Sequence, residues 1–286
     1  MPQPPAIYGI IGNPLTHSLS PLMHNAAFKA LKVNAVYKLF PLLDDEELKL
    51  FMEDLKEEGN PIFGLNVTVP YKEKVLPFLD GIDPFAEKVG AVNTIVISHQ
   101  RKCYGFNTDG PGFLSHLTEV GFDPVGKRIA ILGAGGTTRS ILSVLCLIPE
   151  RPQGIRLYNR TPGKVLQLFD DLKQRIDLSN VQVVNSVDDL NIELADCLIN
   201  TTSVGLGGSD GLLVDASLLH PDMLVYDVIY NPKETALLKA AKAKGAKAVN
   251  GLGMLYYQGA LAFQHWAGVE IEEGLRQIMR KALQGG

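Results

Sequence analysis

The chain has 286 residues, which predicts about two domains at roughly 150 residues per domain. Hydrophobic residues make up 46% and charged residues 20%, which is typical of a folded globular protein and excludes extensive disorder. The formal net charge of −4 gives no general attraction for phosphate backbones, so no nucleic-acid partner is expected.

Cysteine spacing and the lack of targeting segments predict a cytoplasmic protein without a metal. Cys103, Cys146 and Cys197 are far apart, which favours free thiols in a reducing compartment over a disulfide framework. They form no CxxC pair and no cluster with histidine, so no metal site is expected. The longest apolar run, 141–148, is too short to span a membrane. The first five residues lack the basic start and apolar core of a signal peptide.

In the first half of the chain, apolar runs typical of strands alternate with helical patterns. Ser20 and Pro21 open a helix that we predict over 20–31, with the serine as N-cap and the proline at the first helical position. A second, amphipathic helix is predicted over 44–58. The predicted strands are 6–11, 36–42, 62–69 and a hairpin made of 92–97 and 102–106.

The second half repeats this alternation more regularly. An apolar helix is predicted over 138–148, and two further helices close the chain over 255–266 and 270–283. Strands alternating with helices indicate crossover units and a parallel sheet covered on both faces. The polar, glycine-rich stretch 107–112 is the best candidate for a domain boundary. The predicted strands of this half are 128–132, 155–158, 181–184, 197–200 and 224–229.

A glycine-rich turn follows the strand over 128–132 and precedes a helix. Glycines at this position permit a tight turn and let a pyrophosphate approach the backbone N–H groups at the start of the helix. The third glycine of the usual pattern is replaced by Thr138, which predicts slightly looser packing of helix on strand. A turn of this kind without a nucleotide is the alternative. The residues of the predicted dinucleotide turn are Gly133, Ala134, Gly135, Gly136 and Thr137.

The end of the next strand indicates which dinucleotide binds. An NAD site usually has an acidic residue there for the ribose 2′-hydroxyl, but this chain has Asn159, Arg160 and Thr161, with Lys164 close behind. Positive charge suits a 2′-phosphate, so the sequence predicts NADP rather than NAD. The alternative is that Thr161 caps a helix and Arg160 is solvated.

Polar side chains cluster where several strands of the first half end. Taken singly, each has a structural alternative: Ser20 and Asp109 would cap helices, and Lys72 would be solvated at the surface. Together they supply hydroxyls, amides, one lysine and one carboxylate, a set that suits a polyhydroxylated carboxylic acid. These candidate substrate-binding residues are Ser18, Ser20, Asn66, Thr68, Lys72, Asn93, Asp109 and Gln258.

Nine motifs in order along the chain resemble those of the shikimate dehydrogenase family, and they span nearly its full length. They are 12–21 (GNPLTHSLSP), 66–72 (NVTVPYK), 90–94 (GAVNT), 107–110 (NTDG), 133–136 (GAGG), 159–161 (NRT), 200–202 (NTT), 227–232 (DVIYNP) and 251–255 (GLGML).

This resemblance implies two α/β domains around a cleft. The implied divisions are a mainly parallel-sheet substrate domain over 1–109, a Rossmann-type NADP-binding domain over 110–250, and C-terminal helices over 251–286 that pack back on the substrate domain. It also implies NADPH-dependent, reversible reduction of 3-dehydroshikimate to shikimate in aromatic amino acid biosynthesis, by a monomer or a homodimer.

Residue roles follow from the same resemblance. Lys72 and Asp109 match the catalytic pair, and Ser18 and Ser20 match groups that bind the substrate carboxylate. Tyr230 matches a residue at the junction of the substrate and cofactor sites. The remaining matches are Asn66, Thr68, Asn93 and Gln258 for ring hydroxyls; Asn159, Arg160, Thr161 and Lys164 for the 2′-phosphate and adenosine; and the glycine turn with Thr201, Val228, Gly251 and Met254 for the rest of the cofactor.

Two other functions stay open from the sequence. One is an NAD-dependent quinate/shikimate dehydrogenase, against which the lack of an acidic residue near Asn159 and the presence of Ser20 both argue. The other is a non-catalytic NADP-binding regulator, which we would expect to lack Lys72 or Asp109.

Overall fold

The computed structural model describes residues 4–206 and 211–285, and every absence stated below refers to these residues. The strands are β1 (Ala6–Gly12), β2 (Ala35–Pro41), β3 (Ile62–Val67), β4 (Gly81–Ile82), β5 (Thr94–Ile97), β6 (Cys103–Phe106), β7 (Arg128–Leu132), β8 (Gly154–Tyr158), β9 (Val181–Val183), β10 (Cys197–Asn200), β11 (Leu224–Asp227) and β12 (Lys247–Asn250). The helices are α1 (Ser20–Ala30), α2 (Asp45–Asp54), α3 (Pro84–Val89), α4 (Asp109–Glu119), α5 (Gly136–Leu147), α6 (Pro162–Leu172), α7 (Ala236–Ala243), α8 (Leu252–Ala267) and α9 (Glu273–Gln284). No helix among the described residues is both long and apolar enough to cross a membrane.

The chain divides into two compact units. The first runs to Gly112 and resumes at Leu255, and the second spans Phe113–Met254. The divisions expected from the sequence were 109/110 and 250/251. The structural divisions fall a few residues later, inside α4 and α8. The first residues of each of these helices belong to one unit, and the rest of the helix belongs to the other. The C-terminal helix α9 packs on α1 within the first unit.

The first unit is built on a mixed six-stranded sheet in the order β2-β1-β3-β5-β6-β4. Strands β2, β1 and β3 are parallel, whereas β5 is antiparallel to both of its neighbours. Apolar side chains of β1 and β3, including Ile11, Leu65 and Val67, pack with Leu48 and Met52 of α2 in one buried cluster. The predicted hairpin is confirmed, and its turn contains Arg101 at φ 61°.

The N-terminus of α1 differs from the prediction. Leu19 occupies the N-cap position, and no side chain caps the helix. The expectation that Ser20 is the N-cap is therefore wrong. Ser20 is instead the first helical residue, and it is buried.

A buried aromatic cluster in the first unit surrounds His24. Its ring stacks on Tyr37 at 4.5 Å between centroids and lies 5.0 Å from Trp266. Neither ring nitrogen has a hydrogen-bond partner among the described residues. Burial lowers the pKa of His24 to about 3, so the folded protein holds this imidazole neutral.

This histidine should make the first unit sensitive to acid. The pKa of His24 is lower in the folded state than the ordinary value of 6.5, so the folded state binds a proton less readily than the unfolded state. The contribution of neutral His24 to the free energy of unfolding is fully present above pH 6.5 and is lost as pH falls towards 3. We expect His24→Phe to reduce the loss of unfolding free energy between pH 7 and pH 5 by about 2 kcal/mol.

Urea unfolding of both proteins at the two pH values measures this difference. His17→Phe is the matched control because His17 is exposed, and it should leave the pH dependence unchanged. Equal losses in wild type and His24→Phe would contradict the assignment.

The second unit contains an all-parallel sheet in the order β12-β11-β10-β7-β8-β9. Counted from β7 as the first strand of the unit, this is the order 3-2-1-4-5-6 of the Rossmann fold, with its switch point between β7 and β10. The predicted α/β class and parallel sheet are confirmed. Helices over 84–89, 109–119, 162–172 and 236–243 and strands β4 and β12 were not among the predicted elements.

Candidate active site

A buried ion pair is the central feature of the first unit. Lys72 follows β3, and Asp109 begins α4. Their side chains are only 10% and 8% exposed, and Lys72 Nζ lies 2.5 Å from Asp109 Oδ2. Val92 N–H donates to the Lys72 carbonyl at 2.8 Å, which fixes the lysine backbone beside β5. The alternative of a solvated surface lysine is therefore wrong.

Asn93 holds the second oxygen of the carboxylate. Its Nδ2 donates to Asp109 Oδ1 at 2.8 Å and to Thr108 Oγ1 at 2.9 Å, and it lies 3.4 Å from Gln258 Oε1. Asn93 Oδ1 in turn accepts from Thr108 N–H at 2.7 Å. The amide is thus fixed in one orientation, and it brings Gln258 of α8 to the ion pair.

Both carboxylate oxygens of Asp109 are occupied by these contacts, so the helix-cap interpretation of Asp109 is wrong. At the start of α4 it is Asn107 Oδ1 that accepts a backbone hydrogen bond, from Gly110 N–H at 3.3 Å. The aspartate therefore serves the lysine rather than the helix terminus.

The lysine has unused donor capacity. An ammonium carries three N–H donors, and among the described residues Asp109 is the single hydrogen-bond partner of Lys72 Nζ. A carbonyl oxygen placed beside this nitrogen would find a charged donor, already oriented by Asp109. That arrangement is suited to general acid catalysis at an oxygen that gains negative charge.

A chain of polar side chains extends from the ion pair to Tyr37. Asn66 Nδ2 donates to Thr94 Oγ1 at 3.3 Å, and Thr94 Oγ1 donates to Asn93 Oδ1 at 3.2 Å. On its other side, Asn66 Oδ1 accepts from the Tyr37 hydroxyl at 2.7 Å. No sequence motif indicates a role for Tyr37. Its position in an apolar strand, flanked by a lysine, resembles an ordinary core aromatic.

Ser18 and Thr68 lie in loops near this network. Ser18 follows β1 and is half-buried, and its N–H donates to the Leu15 carbonyl at 3.1 Å. Strand β3 ends at Val67, two residues earlier than predicted, so Thr68 lies just beyond the strand. Within the described part of the chain, neither side chain is hydrogen-bonded to the network, so both retain their full capacity for a ligand.

The glycine turn of the second unit joins β7 to α5 at the switch point of the sheet. Gly133 has φ +118°, a conformation that favours glycine, and a Cβ there would collide with the Thr201 hydroxyl after β10. Helix α5 starts at Gly136 with Gly135 as N-cap. Gly135 is exposed and faces open space, so its backbone is accessible to a phosphate.

Thr138 does not loosen the packing as expected. It is fully buried, and its hydroxyl accepts from Gly135 N–H at 3.1 Å and pairs with Thr201 Oγ1 at 2.7 Å. Thr201 Oγ1 also donates to the Leu132 carbonyl at 2.7 Å. The two threonines therefore tie the ends of β7 and β10 together, a role that the sequence analysis did not assign.

Two exposed cations follow β8. Arg160, Thr161 and Lys164 are exposed, and among residues 4–206 and 211–285 their side chains have no hydrogen-bond partner. Thr161 occupies the N-cap of α6, but its hydroxyl makes no capping bond. Asn159 Nδ2 donates to the Thr161 carbonyl at 2.9 Å and fixes the loop. The group is charged, accessible and available to bind an anion.

The other predicted cofactor residues also follow strands of the same sheet. Thr201 follows β10, Val228 and the half-buried Tyr230 follow β11, and Gly251 and Met254 follow β12. A Cβ at Gly251 would collide with the Val228 carbonyl. In a Rossmann sheet, ligands bind outside the carboxyl ends of the strands, and all the predicted cofactor residues lie there.

A buried carboxylate orders the loop after β11. Asp227 accepts from Thr235 Oγ1 at 2.6 Å, from Asn200 Nδ2 at 3.0 Å and from Ile229 N–H at 3.1 Å. Burial raises the pKa of Asp227, and these three hydrogen bonds oppose the rise. The network holds the start of the loop that carries Val228 and Tyr230.

A bound NADP fits these residues on two observations. The turn from β7 to α5 leaves the backbone open at Gly135, as a pyrophosphate requires. Arg160 and Lys164 supply unpaired positive charge after β8, as a 2′-phosphate requires.

No group of three or more metal-ligating side chains is present in the described chain.

Comparisons with known proteins agree with this arrangement. Residues 10–95 match the family model for the shikimate dehydrogenase substrate binding domain, and residues 251–284 match the model for the shikimate 5′-dehydrogenase C-terminal domain. The chain is 43% identical to shikimate dehydrogenase (NADP(+)) of Methanopyrus kandleri, over 97% of this chain and 94% of that protein.

Solved structures give the same result. The crystal structure of shikimate dehydrogenase from Aquifex aeolicus aligns over 99% of both chains, with a TM-score of 0.87 and 38% identity. Quinate dehydrogenase from Corynebacterium glutamicum, solved in complex with NAD, also aligns over 99% of both chains, with a TM-score of 0.87 and 30% identity. On these near-complete matches, the chain belongs to the shikimate dehydrogenase family.

Proposed function

We propose that this protein catalyses the NADPH-dependent, reversible reduction of 3-dehydroshikimate to shikimate, a step of aromatic amino acid biosynthesis. The observation that carries the proposal is the buried pair of Lys72 and Asp109 in a chain that belongs to this family. In this assignment the first unit binds the substrate, and the second unit binds NADP.

The reduction adds a hydride to a carbonyl carbon and a proton to its oxygen. Bound NADPH supplies the hydride. Lys72 donates the proton from its ammonium to the carbonyl oxygen as negative charge develops there, and it recovers a proton from solvent afterwards. Asp109 holds the ammonium in place, and Asn93 fixes Asp109 through its second oxygen. In the reverse direction the same groups accept the proton of the substrate hydroxyl.

The substrate is a cyclohexene carboxylate with ring hydroxyls. We assign its carboxylate to the hydroxyls of Ser18 and Ser20, and Tyr230 to the junction of the substrate and the nicotinamide. A serine at position 20 favours shikimate over quinate, as the family pattern implies. The ring hydroxyls are assigned to Asn66, Thr68, Asn93 and Gln258, three of which share the network around the ion pair.

The coenzyme is NADP. We assign its pyrophosphate to the turn from Gly133 to Thr137 and its 2′-phosphate to Arg160, Thr161 and Lys164, with Asn159 beside the adenosine. The charge and accessibility of these side chains support NADP over NAD. A non-catalytic regulator is disfavoured because Lys72 and Asp109 are both present and paired.

A spectrophotometric assay at 340 nm tests the proposal. The purified protein is given shikimate or quinate with NADP+ or NAD+, and initial rates are measured for the four combinations. We expect the highest kcat/KM with shikimate and NADP+. A higher kcat/KM with quinate or with NAD+ would refute the assigned specificity, and no turnover with any pair would refute the activity.

Cytoplasmic location and a monomeric or dimeric state stay predictions from the sequence.

A further inference from the structure

Gly112 is a buried glycine in the hydrogen-bonded part of helix α4, and its N–H donates to the Thr108 carbonyl at 2.9 Å. Its φ lies outside the positive range that favours glycine, so the backbone conformation does not require it. A glycine at such a position makes a helix less stable than an alanine would. The reason for a glycine here must therefore lie in the space around it.

That space is taken by the main chain of α8. A Cβ on Gly112 would lie 2.7 Å from the backbone nitrogen of Gln258, 2.9 Å from its Cβ and 3.0 Å from its Cα. Both residues belong to the first unit. Ordinary van der Waals contact begins at 3.4 Å, and main-chain atoms cannot turn aside as a flexible side chain can. One methyl group at position 112 would therefore separate the two segments by about 0.7 Å.

The close approach places two assigned side chains beside each other. Asp109 lies three residues before Gly112, and residues three apart share a face of a helix. Gln258 Oε1 lies 3.4 Å from Asn93 Nδ2, which also donates to Asp109. Gln258 Nε2 donates to the Leu255 carbonyl of its own helix at 2.8 Å, so the side chain is not free to extend. The position of the α8 backbone thus sets how far this side chain reaches towards the ion pair.

The contact distances indicate which helix would move if the space at position 112 were filled. Asp109 is held by Lys72 at 2.5 Å and by Asn93 at 2.8 Å, and hydrogen bonds to a carboxylate are among the strong ones. Among the described residues, Gln258 joins this network through one contact at 3.4 Å, which is longer than an ordinary hydrogen bond. We therefore expect α8 to recede, while Asp109 keeps its partners.

We propose that Gly112 is a positioning residue for the substrate, because its lack of a side chain lets Gln258 reach the ring hydroxyl assigned to it. The inference rests on the proposed function, since it takes Gln258 to contact the substrate. It extends that function to a residue that touches neither the substrate nor the reacting atoms. Filling the space at position 112 weakens substrate binding and leaves the proton-transferring pair intact.

Steady-state kinetics of Gly112→Ala with shikimate and NADP+ test the inference. We expect the KM for shikimate to rise about 3- to 10-fold, the effect of losing one neutral hydrogen bond. The KM for NADP+ and the pH dependence of kcat should not change, because Lys72 and Asp109 keep their bond. A loss confined to kcat, or a shifted pH profile, would contradict the inference, since it would show that α4 had moved instead of α8.

A double-mutant cycle with Gln258→Ala separates this effect from general damage to packing. Gln258→Ala alone should raise the KM for shikimate by about 3- to 10-fold as well. Adding Gly112→Ala to it should cause no further rise, because the contact that Gly112 serves has already been lost. A further rise that equals the effect of Gly112→Ala in the wild-type background would show that Gly112 does not act through Gln258, and it would overturn the inference.

Gly274→Ala is the matched control. Gly274 also lies in a helix of the first unit, α9, but it is exposed, and a Cβ there would meet no atom within 4 Å. The same substitution should leave the KM for shikimate and kcat at their wild-type values. A rise in KM equal to that of Gly112→Ala would contradict an effect specific to the contact with α8.

Gln258→Asn decides the question if Gly112→Ala does not fold. It shortens the side chain by one methylene and adds no atom between α4 and α8. If the reach of this side chain matters as proposed, the KM for shikimate rises as in Gln258→Ala. A wild-type KM in Gln258→Asn would overturn the inference and leave the proposed function intact, provided that the wild-type protein oxidises shikimate. A wild-type protein without this activity would overturn both.

Discussion

Replacing Lys72 with alanine should lower kcat for shikimate oxidation by at least about a hundredfold, because loss of a general acid–base group typically costs 10²- to 10⁴-fold. The KM for shikimate should change little, since Lys72 is assigned to the reacting oxygen rather than to the carboxylate. Removing the lysine also leaves Asp109 buried without its cation. Steady-state kinetics with saturating NADP+ measure the effect, and thermal unfolding checks that the variant is folded.

Lys74→Ala is the matched control for this prediction. Lys74 belongs to the same segment, but its ammonium forms an exposed ion pair with Asp45 at 2.6 Å, and such pairs contribute little. Its kcat should stay within about twofold of wild type. A near-normal kcat in Lys72→Ala would refute the assignment of the proton donor. Equal losses in both variants would show that the effect is not specific to the ion pair.

The second large effect is expected in coenzyme selection. Arg160→Ala should raise the KM for NADP+ by about 10- to 100-fold, because a hydrogen bond to a charged group contributes roughly 1.5–3 kcal/mol. The KM for NAD+ should not rise, since NAD+ has no 2′-phosphate. The ratio of kcat/KM for the two coenzymes therefore falls by the same factor.

Lys173→Ala serves as the control for Arg160. It also removes an exposed cation, but from the C-terminal end of α6, where Lys173 pairs with Asp170 at 2.5 Å. Kinetics with both coenzymes should be unchanged in that variant. An Arg160→Ala protein that loses NADP+ and NAD+ equally would indicate damage to the turn rather than loss of a phosphate contact.

Most of the fold could be predicted because apolar residues recur along the chain with the spacing that is typical of strands and helices. The strand over 128–132, the glycine turn and the helix behind it were placed within two residues of β7 and α5. Very short or weakly apolar elements such as β4 and β12 were not predicted, because two to four residues are too few to show a periodic pattern of apolar side chains. The end of β11 was placed too late because Asp227 turns the chain by accepting from Ile229 N–H, which is a tertiary effect.

The candidate site was predictable where a motif places polar residues at strand ends. Lys72, Asn93 and Asp109 come from three separate motifs, and the structure brings them into one network within the first unit. Local rules failed for Ser20, which they predicted as a cap but which is the first residue of α1. They also overlooked Tyr37 of β2, whose hydroxyl donates to Asn66 of β3. Partners of this kind follow from the register of the sheet, which no local pattern contains.

The proposed catalysis depends most on Lys72 as the proton donor to the reacting oxygen. The most direct measurement is a crystal structure of the protein with shikimate and NADP+. We predict Lys72 Nζ within about 3.2 Å of the hydroxyl oxygen on the carbon that loses the hydride, with Asp109 still bonded to the lysine. A different side chain on that oxygen, or a lysine turned away from it, would contradict the account.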